Sequence, residues 1–282
     1  MSARSGAAAG SAEASSESTE SRGVSSLRGM IPALADRKCA LLPVRDVNPT
    51  RIRPLITWLI IAGNVVVFLM TPQASPESDR FAYEHAAVAC EVSSGEPVSV
   101  FEVNAGVCLD GNPAEAVFPD KQIWLSVFVS MFLHAGLAHI LFNMWSLWIF
   151  GNNVEEAFGS LLFAVFYLAA GVAATIGFVV VNPTLTVPLV GASGAIAGVM
   201  GAYLVLFPRH QVMTFILYRV VAIPAVWFLG LWFLSQFLLV GDDTGVAWQA
   251  HVAGFAFGAL VAAMFRRQLL ARTAAGETAV YA

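Results

Sequence analysis

The sequence predicts an all-α polytopic membrane protein, a bundle of six transmembrane helices, and three observations carry that reading. The composition is 57% hydrophobic and only 12% charged, with a mean hydropathy of +0.71, whereas a soluble domain is roughly 25% charged. Apolar runs recur along the chain at lengths suited to a hydrocarbon core about 30 Å thick. Basic residues sit at the inner ends of spans one, four, five and six, while the long loop after span one is acidic.

Residues 1–41 begin with a stretch rich in Ala, Gly, Ser and Glu that has few large apolar side chains. Such a stretch cannot bury enough surface to fold, so a disordered cytoplasmic tail is expected. It lacks the apolar centre of a secretory signal, and Glu13, Glu17 and Glu20 argue against a mitochondrial transit peptide. The membrane domain is expected over 42–268, with a short cytoplasmic tail over 269–282.

Span one is expected at about Leu55–Met70. Residues 72–121 then form a long external loop, holding nine acidic residues against only Arg80 and Lys121. The segment before span one carries eight basic residues, five of them from Arg37 to Arg53. The positive-inside rule therefore puts both ends of a six-span chain in the cytoplasm and the long loop outside. Cys90 and Cys108 both lie in that loop, where an oxidising compartment would let them pair; Cys39 does not. Span two is expected at about Ile123–Phe150, followed by an inner loop over Gly151–Glu156, and span three at about Leu161–Val181. Span four covers about Val190–Phe207, and an interfacial stretch over Val212–Arg219 leads into span five at about Val220–Val240. The last outer loop is Gly241–Gly245, and span six is about Val246–Phe265.

Ionisable side chains within spans are costly enough to mark function, and here they gather at one depth. Ser193 lies sixteen residues before Arg209, roughly 24 Å from the inner interface. His251 lies fifteen before Arg266, roughly 22 Å from it. His139 and Asn143 sit four apart, hence on one helix face, somewhat deeper. His134 precedes His139 by five and points elsewhere, which suits a structural role. Gly194 with Gly198, and Gly254 with Gly258, are small-xxx-small pairs that let two helices approach closely. If those faces meet, Ser193 and His251 meet with them.

A serine hydroxyl becomes a nucleophile when an imidazole within hydrogen-bond reach takes its proton. The expected machinery is therefore Ser193 as nucleophile and His251 as base. Oxyanion donors come from the Ser193 amide, His139 and Asn143. The expected spans contain no Asp or Glu, so a dyad rather than a triad is expected. Zinc chemistry would want His-Glu-x-x-His, which is missing, and an aspartyl mechanism would want two facing carboxylates. A small transporter would want repeated halves, and none is visible. Nothing in the 15 basic residues clusters beside aromatics as nucleic-acid binding would need.

Several motifs occur in one order along the chain. They are Pro43-Val44-Arg45-Asp46-Val47-Asn48-Pro49, then His134, His139 and Asn143, then Phe150-Gly151-Asn152-Asn153-Val154-Glu155. Gly191-Ala192-Ser193-Gly194 follows, and Ala250-His251-Val252-Ala253-Gly254-Phe255-Ala256-Phe257-Gly258 comes last. Together they resemble the rhomboid family of intramembrane serine proteases, from about Leu42 to Phe265. The resemblance implies cofactor-free cleavage of single-pass transmembrane substrates near the outer face of the bilayer, with no metal. A bacterial plasma membrane is the expected location. Gly191, Gly194 and Gly254 would shape the site, and span five would act as a lateral gate through Trp227, Phe228, Trp232, Phe233 and Gln236. The alternative is a catalytically inactive rhomboid-like protein that binds membrane helices. Two departures stand out. The position four after the serine, aromatic in many members, is Ala197, so another side chain would have to hold His251. The long external loop also lacks the Trp-Arg pair that some members carry.

Overall fold

A computed structural model describes residues 42–109, 115–216, 218–239 and 245–280. The tail expected over 1–41 and nearly all of the expected loop Gly241–Gly245 lie outside the described residues.

The described chain is mostly helical, with two small sheets that the all-helical expectation lacked. Strand β1 (Leu42–Asp46) leads through Pro54 into helix α1 (Leu55–Met70). The long loop is itself structured, with α2 (Glu77–His85), β2 (Ala87–Val88), α3 (Ala89–Ser94) and α4 (Val100–Ala105). Ser99 and Glu102 form a reciprocal capping box at the start of α4, which satisfies otherwise orphaned amides. Helix α5 (Ile123–Val129) continues as a 3-10 turn over Ser130–Phe132, and α6 runs over Leu137–Phe158. Then come α7 (Ser160–Val181), β3 (Pro188–Leu189), α8 (Ser193–Leu206), β4 (Gln211–Ile216), β5 (Arg219–Pro224), α9 (Ala225–Gln236), α10 (Trp248–Met264) and α11 (Arg266–Val280).

Three expectations are corrected. Span two is not one helix over Ile123–Phe150, because the chain bends by 81° between Phe132 and Leu137. The inner loop expected over Gly151–Glu156 is helical, since α6 continues to Phe158 and ends at Gly159, whose φ is +78°. Glu155 explains the continuation. It is fully buried, and its carboxylate accepts from the Ile56 and Thr57 amides at 3.0 and 2.8 Å and from the Thr57 and Ser160 hydroxyls. A negative charge on the first turn of α1 satisfies orphan amides and complements the helix dipole. Lastly, the stretch over Val212–Arg219 and the expected start of span five at Val220 are strand, and the helix begins only at Ala225. They belong to a hairpin in which Gln211 pairs with Pro224 and Ile216 with Arg219, and β1 adds antiparallel to β4. Val212 to Ile216 alternate buried and more exposed positions, which suits a strand.

By length and composition, α7 is apolar and long enough to cross a membrane. Two bent pairs, Ile123–Phe132 with Leu137–Phe158 and Trp248–Met264 with Arg266–Thr273, pass as units, while α1, α8 and α9 are shorter apolar helices. Large apolar side chains face outward, among them Leu161 at 78% exposure and Val180 at 73%. A soluble surface does not tolerate that much contiguous apolar area.

Helix α8 is the centre. Every residue from Gly194 to Tyr203 is buried. It packs on α10 through glycines: a Cβ at Gly254 would land on the Gly194 carbonyl oxygen, and one at Gly258 on the Gly198 carbonyl oxygen. Ala170 and Ala174 of α7 close the third side, directly over Gly198 and Gly194. Lipid gives helices no hydrophobic reason to associate, so backbone contact across small residues holds them together.

Candidate active site

The segment leading into α8 is fixed from outside the bundle. β3 pairs with β2 of the long loop, Ala87 with Leu189 and Val88 with Pro188. The Gly191 amide donates to the Ser130 carbonyl at 2.9 Å, while the Ser130 hydroxyl accepts from the Ala87 amide at 2.6 Å. Gly191 has φ +125°, and a Cβ there would sit 2.8 Å from Cε1 and Nε2 of His139 and 3.6 Å from Ser193 Oγ. Glycine is thus required twice, by conformation and by space. Ser193 then occupies the first turn of α8, where the backbone N–H has no intrahelical partner and lies at the positive end of the helix dipole.

The glycine seam brings α10 alongside, and Ser193 Oγ meets His251 Nε2 at 2.8 Å. On the other side of the ring, His251 Nδ1 meets Gln236 Oε1 at 2.8 Å. Trp232, one turn earlier on α9, lies against the imidazole with ring centroids 5.9 Å apart. Ala197 is fully buried, and α9 supplies the packing that this position does not. Trp232 and Gln236 were expected to serve only as gate residues, and their spacing of four on one helix was the available signal. The five expected gate residues do not share a face: Trp227 is 65% exposed, whereas Phe228 is buried and Gln236 is 4% exposed. Phe233 stacks on Phe255 at 4.7 Å.

His139 and Asn143 lie one turn apart on α6. His139 Nδ1 accepts from the Ala135 amide at 3.4 Å, which leaves Nε2 toward Gly191 and Ser193. Asn143 is 6% exposed, and its Nδ2 has no partner among the described residues. His134 is not on a helix. It sits in the break before α6, buried and edge-on to His139 at 5.1 Å, so it lies next to the site rather than pointing away from it. Gly194 and Gly254 sit behind the site in the seam.

Ser193, His251, His139 and Asn143 line one cavity of about 960 Å³, with Ser146, Met200, Trp232, Asn182 and Gln249 on its walls. None of the described residues lining it is a carboxylate. A hydroxyl held by an imidazole, beside a helix-terminal amide, an imidazole and an unpaired amide, can attack a carbonyl and hold the resulting negative charge. Among the described residues, the groups close enough for a metal are Cys90, Glu102 and Cys108. There the two sulfurs are joined to each other as a disulfide.

A family profile described as the rhomboid domain matches residues 121–268, more than half of the chain. The chain is 43% identical over 81 residues to rhomboid protease GluP of Bacillus subtilis, a match covering 29% of this chain and 15% of that protein. It is 32% identical over 97 residues to the mitochondrial Rhomboid protein 1 of Saccharomyces cerevisiae, covering 33% and 28%. It is also 31% identical over 90 residues to Inactive RHOMBOID-like protein 8 of Arabidopsis thaliana, covering 32% and 25%. In each case the chain spans well under half of the relative it matches. The profile covers the whole site described above except loop segments before α5, and the chain belongs to the rhomboid family of integral membrane proteins.

Proposed function

We propose that the protein is an intramembrane serine endopeptidase that cuts single-pass transmembrane substrates near the outer face of the bilayer. The observation that carries this reading is the 2.8 Å contact between Ser193 Oγ and His251 Nε2 at the end of a cavity lined by oxyanion donors. His251 Nε2 takes the hydroxyl proton as Oγ attacks the scissile carbonyl. The Ser193 amide, His139 and the unpaired Asn143 Nδ2 hold the oxyanion. The protonated imidazole gives its proton to the leaving amine, and water then releases the acyl group. No cofactor enters this sequence.

The chain crosses a bacterial plasma membrane six times, through α1, α6, α7, α8, α9 and α10, with both termini cytoplasmic. The basic approach to α1 and the acidic external loop support that orientation. So does the Cys90–Cys108 disulfide in the same loop, since such bonds persist on the oxidising side.

The test is purified protein in liposomes with a single-pass model substrate, comparing wild type, Ser193→Ala and His251→Ala. Cleavage by wild type and a loss of at least about 10³-fold in each variant is the expected result. Cleavage that persists in Ser193→Ala overturns the reading. Substrate retained but uncut by the wild type favours the alternative of a catalytically inactive, helix-binding protein.

A further inference from the structure

The His251 ring is held by a helix other than its own and other than the one that carries Ser193. Gln236 is 4% exposed, and its Oε1 lies 2.8 Å from His251 Nδ1. Its Nε2 donates to the Trp232 carbonyl at 3.1 Å and approaches Ser235 Oγ at 3.4 Å. The bond to Trp232 fixes which way the amide points. A carbonyl can only accept, so the nitrogen faces Trp232 and the oxygen faces the imidazole. An amide oxygen in turn can only accept, so the imidazole nitrogen opposite must carry the proton. Nδ1–H leaves Nε2 with its lone pair aimed at Ser193 Oγ, the tautomer a general base requires.

We infer that Gln236 is a positioning residue for the dyad, a neutral third member that sets the tautomer and orientation of His251. This deepens the protease reading and rests on it for its kinetic consequences. An aspartate does the same for the base in a Ser-His-Asp triad. In a membrane interior a buried carboxylate costs more than an amide, and a glutamine supplies the acceptor without the charge. Because Trp232 and Gln236 both belong to α9, any displacement of α9 from α10 removes the ring contact and the acceptor together. The base is then poised only while α9 is seated. Among the described residues lining the cavity, His139 on α6 is the other titratable group.

The test compares wild type, Gln236→Met and Gln236→Glu in liposomes with the same single-pass substrate. Methionine keeps the length and removes the acceptor; glutamate keeps the acceptor. Gln236→Met should lower kcat roughly 10²-fold, the low end of what positioned general-base catalysis contributes, with KM and thermal unfolding unchanged. The rate at which a small fluorophosphonate labels Ser193 should fall with kcat, since that reagent needs no passage past α9. Gln236→Glu should restore most of kcat and move the acid limb of its pH profile upward, as a carboxylate beside the imidazole favours its charged form. Wild-type kcat in Gln236→Met, or a change in KM alone, overturns the inference. A readout independent of turnover uses ¹⁵N-histidine-labelled protein. The His251 shifts should report Nδ1–H in wild type and a mixture of the two tautomers in Gln236→Met; identical shifts in both proteins overturn the inference. If wild type cuts nothing, the protease reading fails, while the nitrogen shifts still decide the role of Gln236.

Discussion

The seam between α8 and α10 and the long loop over 72–121 are held by opposite means. In the seam, Gly194, Gly198, Gly254 and Gly258 bring backbone against backbone with no charged group. In the loop, Cys90 is bonded to Cys108, and the Lys121 ammonium lies 2.5 Å from the Glu91 carboxylate with both side chains buried. Lys121 also donates to the Tyr83 carbonyl at 2.6 Å. The solvent explains the difference. Within lipid, apolar burial gives no net drive and only close contact counts. A short segment outside the helix bundle has little core of its own, and cross-links make up the deficit. The two regions nevertheless serve one site. The Cys90 and Cys108 amides donate to the Leu185 and Thr184 carbonyls at 3.0 and 2.8 Å, so the disulfide-linked loop braces the segment that delivers Ser193.

The contrast can be broken most severely in the seam. Gly258→Leu places side-chain atoms on the Gly198 carbonyl, a backbone group that cannot rotate away. No monodisperse folded protein is expected on size exclusion, whereas Gly230→Leu on α9, where a Cβ meets nothing, should purify normally. Equal behaviour of the two would mean that the seam is not the organising contact.

The loop should respond next. Burial raises the Glu91 carboxyl and lowers the Lys121 ammonium from their ordinary values, and their pairing opposes both shifts. Lys121→Met strands a buried carboxylate and should cost about 3–5 kcal/mol in denaturant unfolding. The double variant Lys121→Met with Glu91→Leu should recover most of that loss, since it removes the orphaned charge. Failure to recover would show that the pair contributes through more than mutual neutralisation.

Removing the disulfide comes third. Its cysteines are 18 residues apart, and Cys90→Ser with Cys108→Ser should cost about 3 kcal/mol on the chain-entropy account. Reductant should lower the thermal midpoint of wild type and leave that of the variant unchanged. Cleavage should weaken in the variant, because the Thr184–Leu185 segment loses its brace.

The smallest effect is expected at β1. Asp46 accepts from the Tyr203 hydroxyl at 2.9 Å and from Asn153 Nδ2 at 2.6 Å, tying β1 to α8 and α6. Burial raises its carboxyl to about 6, partly opposed by these hydrogen bonds. The folded state therefore holds this proton more tightly than the unfolded chain does. The resulting stability is complete below about pH 4 and is lost as pH rises through 6. Screening at this partly exposed site limits the loss to about 1 kcal/mol. Unfolding midpoints measured at pH 5 and pH 7 should differ in wild type and coincide in Asp46→Asn.

How much of this was legible beforehand follows from where each signal resides. Ser193, His251, His139 and Asn143 stand out because polar groups in apolar runs are costly, and a rise of about 1.5 Å per residue puts them at one level without any knowledge of packing. The glycine pairs are equally local, since a spacing of four is one helical face. The bend at Leu133–Gly136 was hidden because Ile123 to Phe150 is uncharged and mostly apolar on both sides of it, and hydropathy cannot distinguish a span from a helix lying across it. The hairpin was hidden for a related reason: β4 and β5 are stabilised by each other and by β1, more than 160 residues earlier.

By itself the sequence determined the class of protein, the candidate site residues and the faces on which the helices could touch, because each depends on composition or on spacing within a single helix. The tertiary structure alone decided that Gln236 and Trp232 hold His251, that Glu155 caps α1, and that a disulfide-linked loop braces the approach to Ser193. Each of these joins groups far apart in the chain, and such contacts leave no periodic trace in either partner, since hydrogen-bond geometry is settled only when two elements pack.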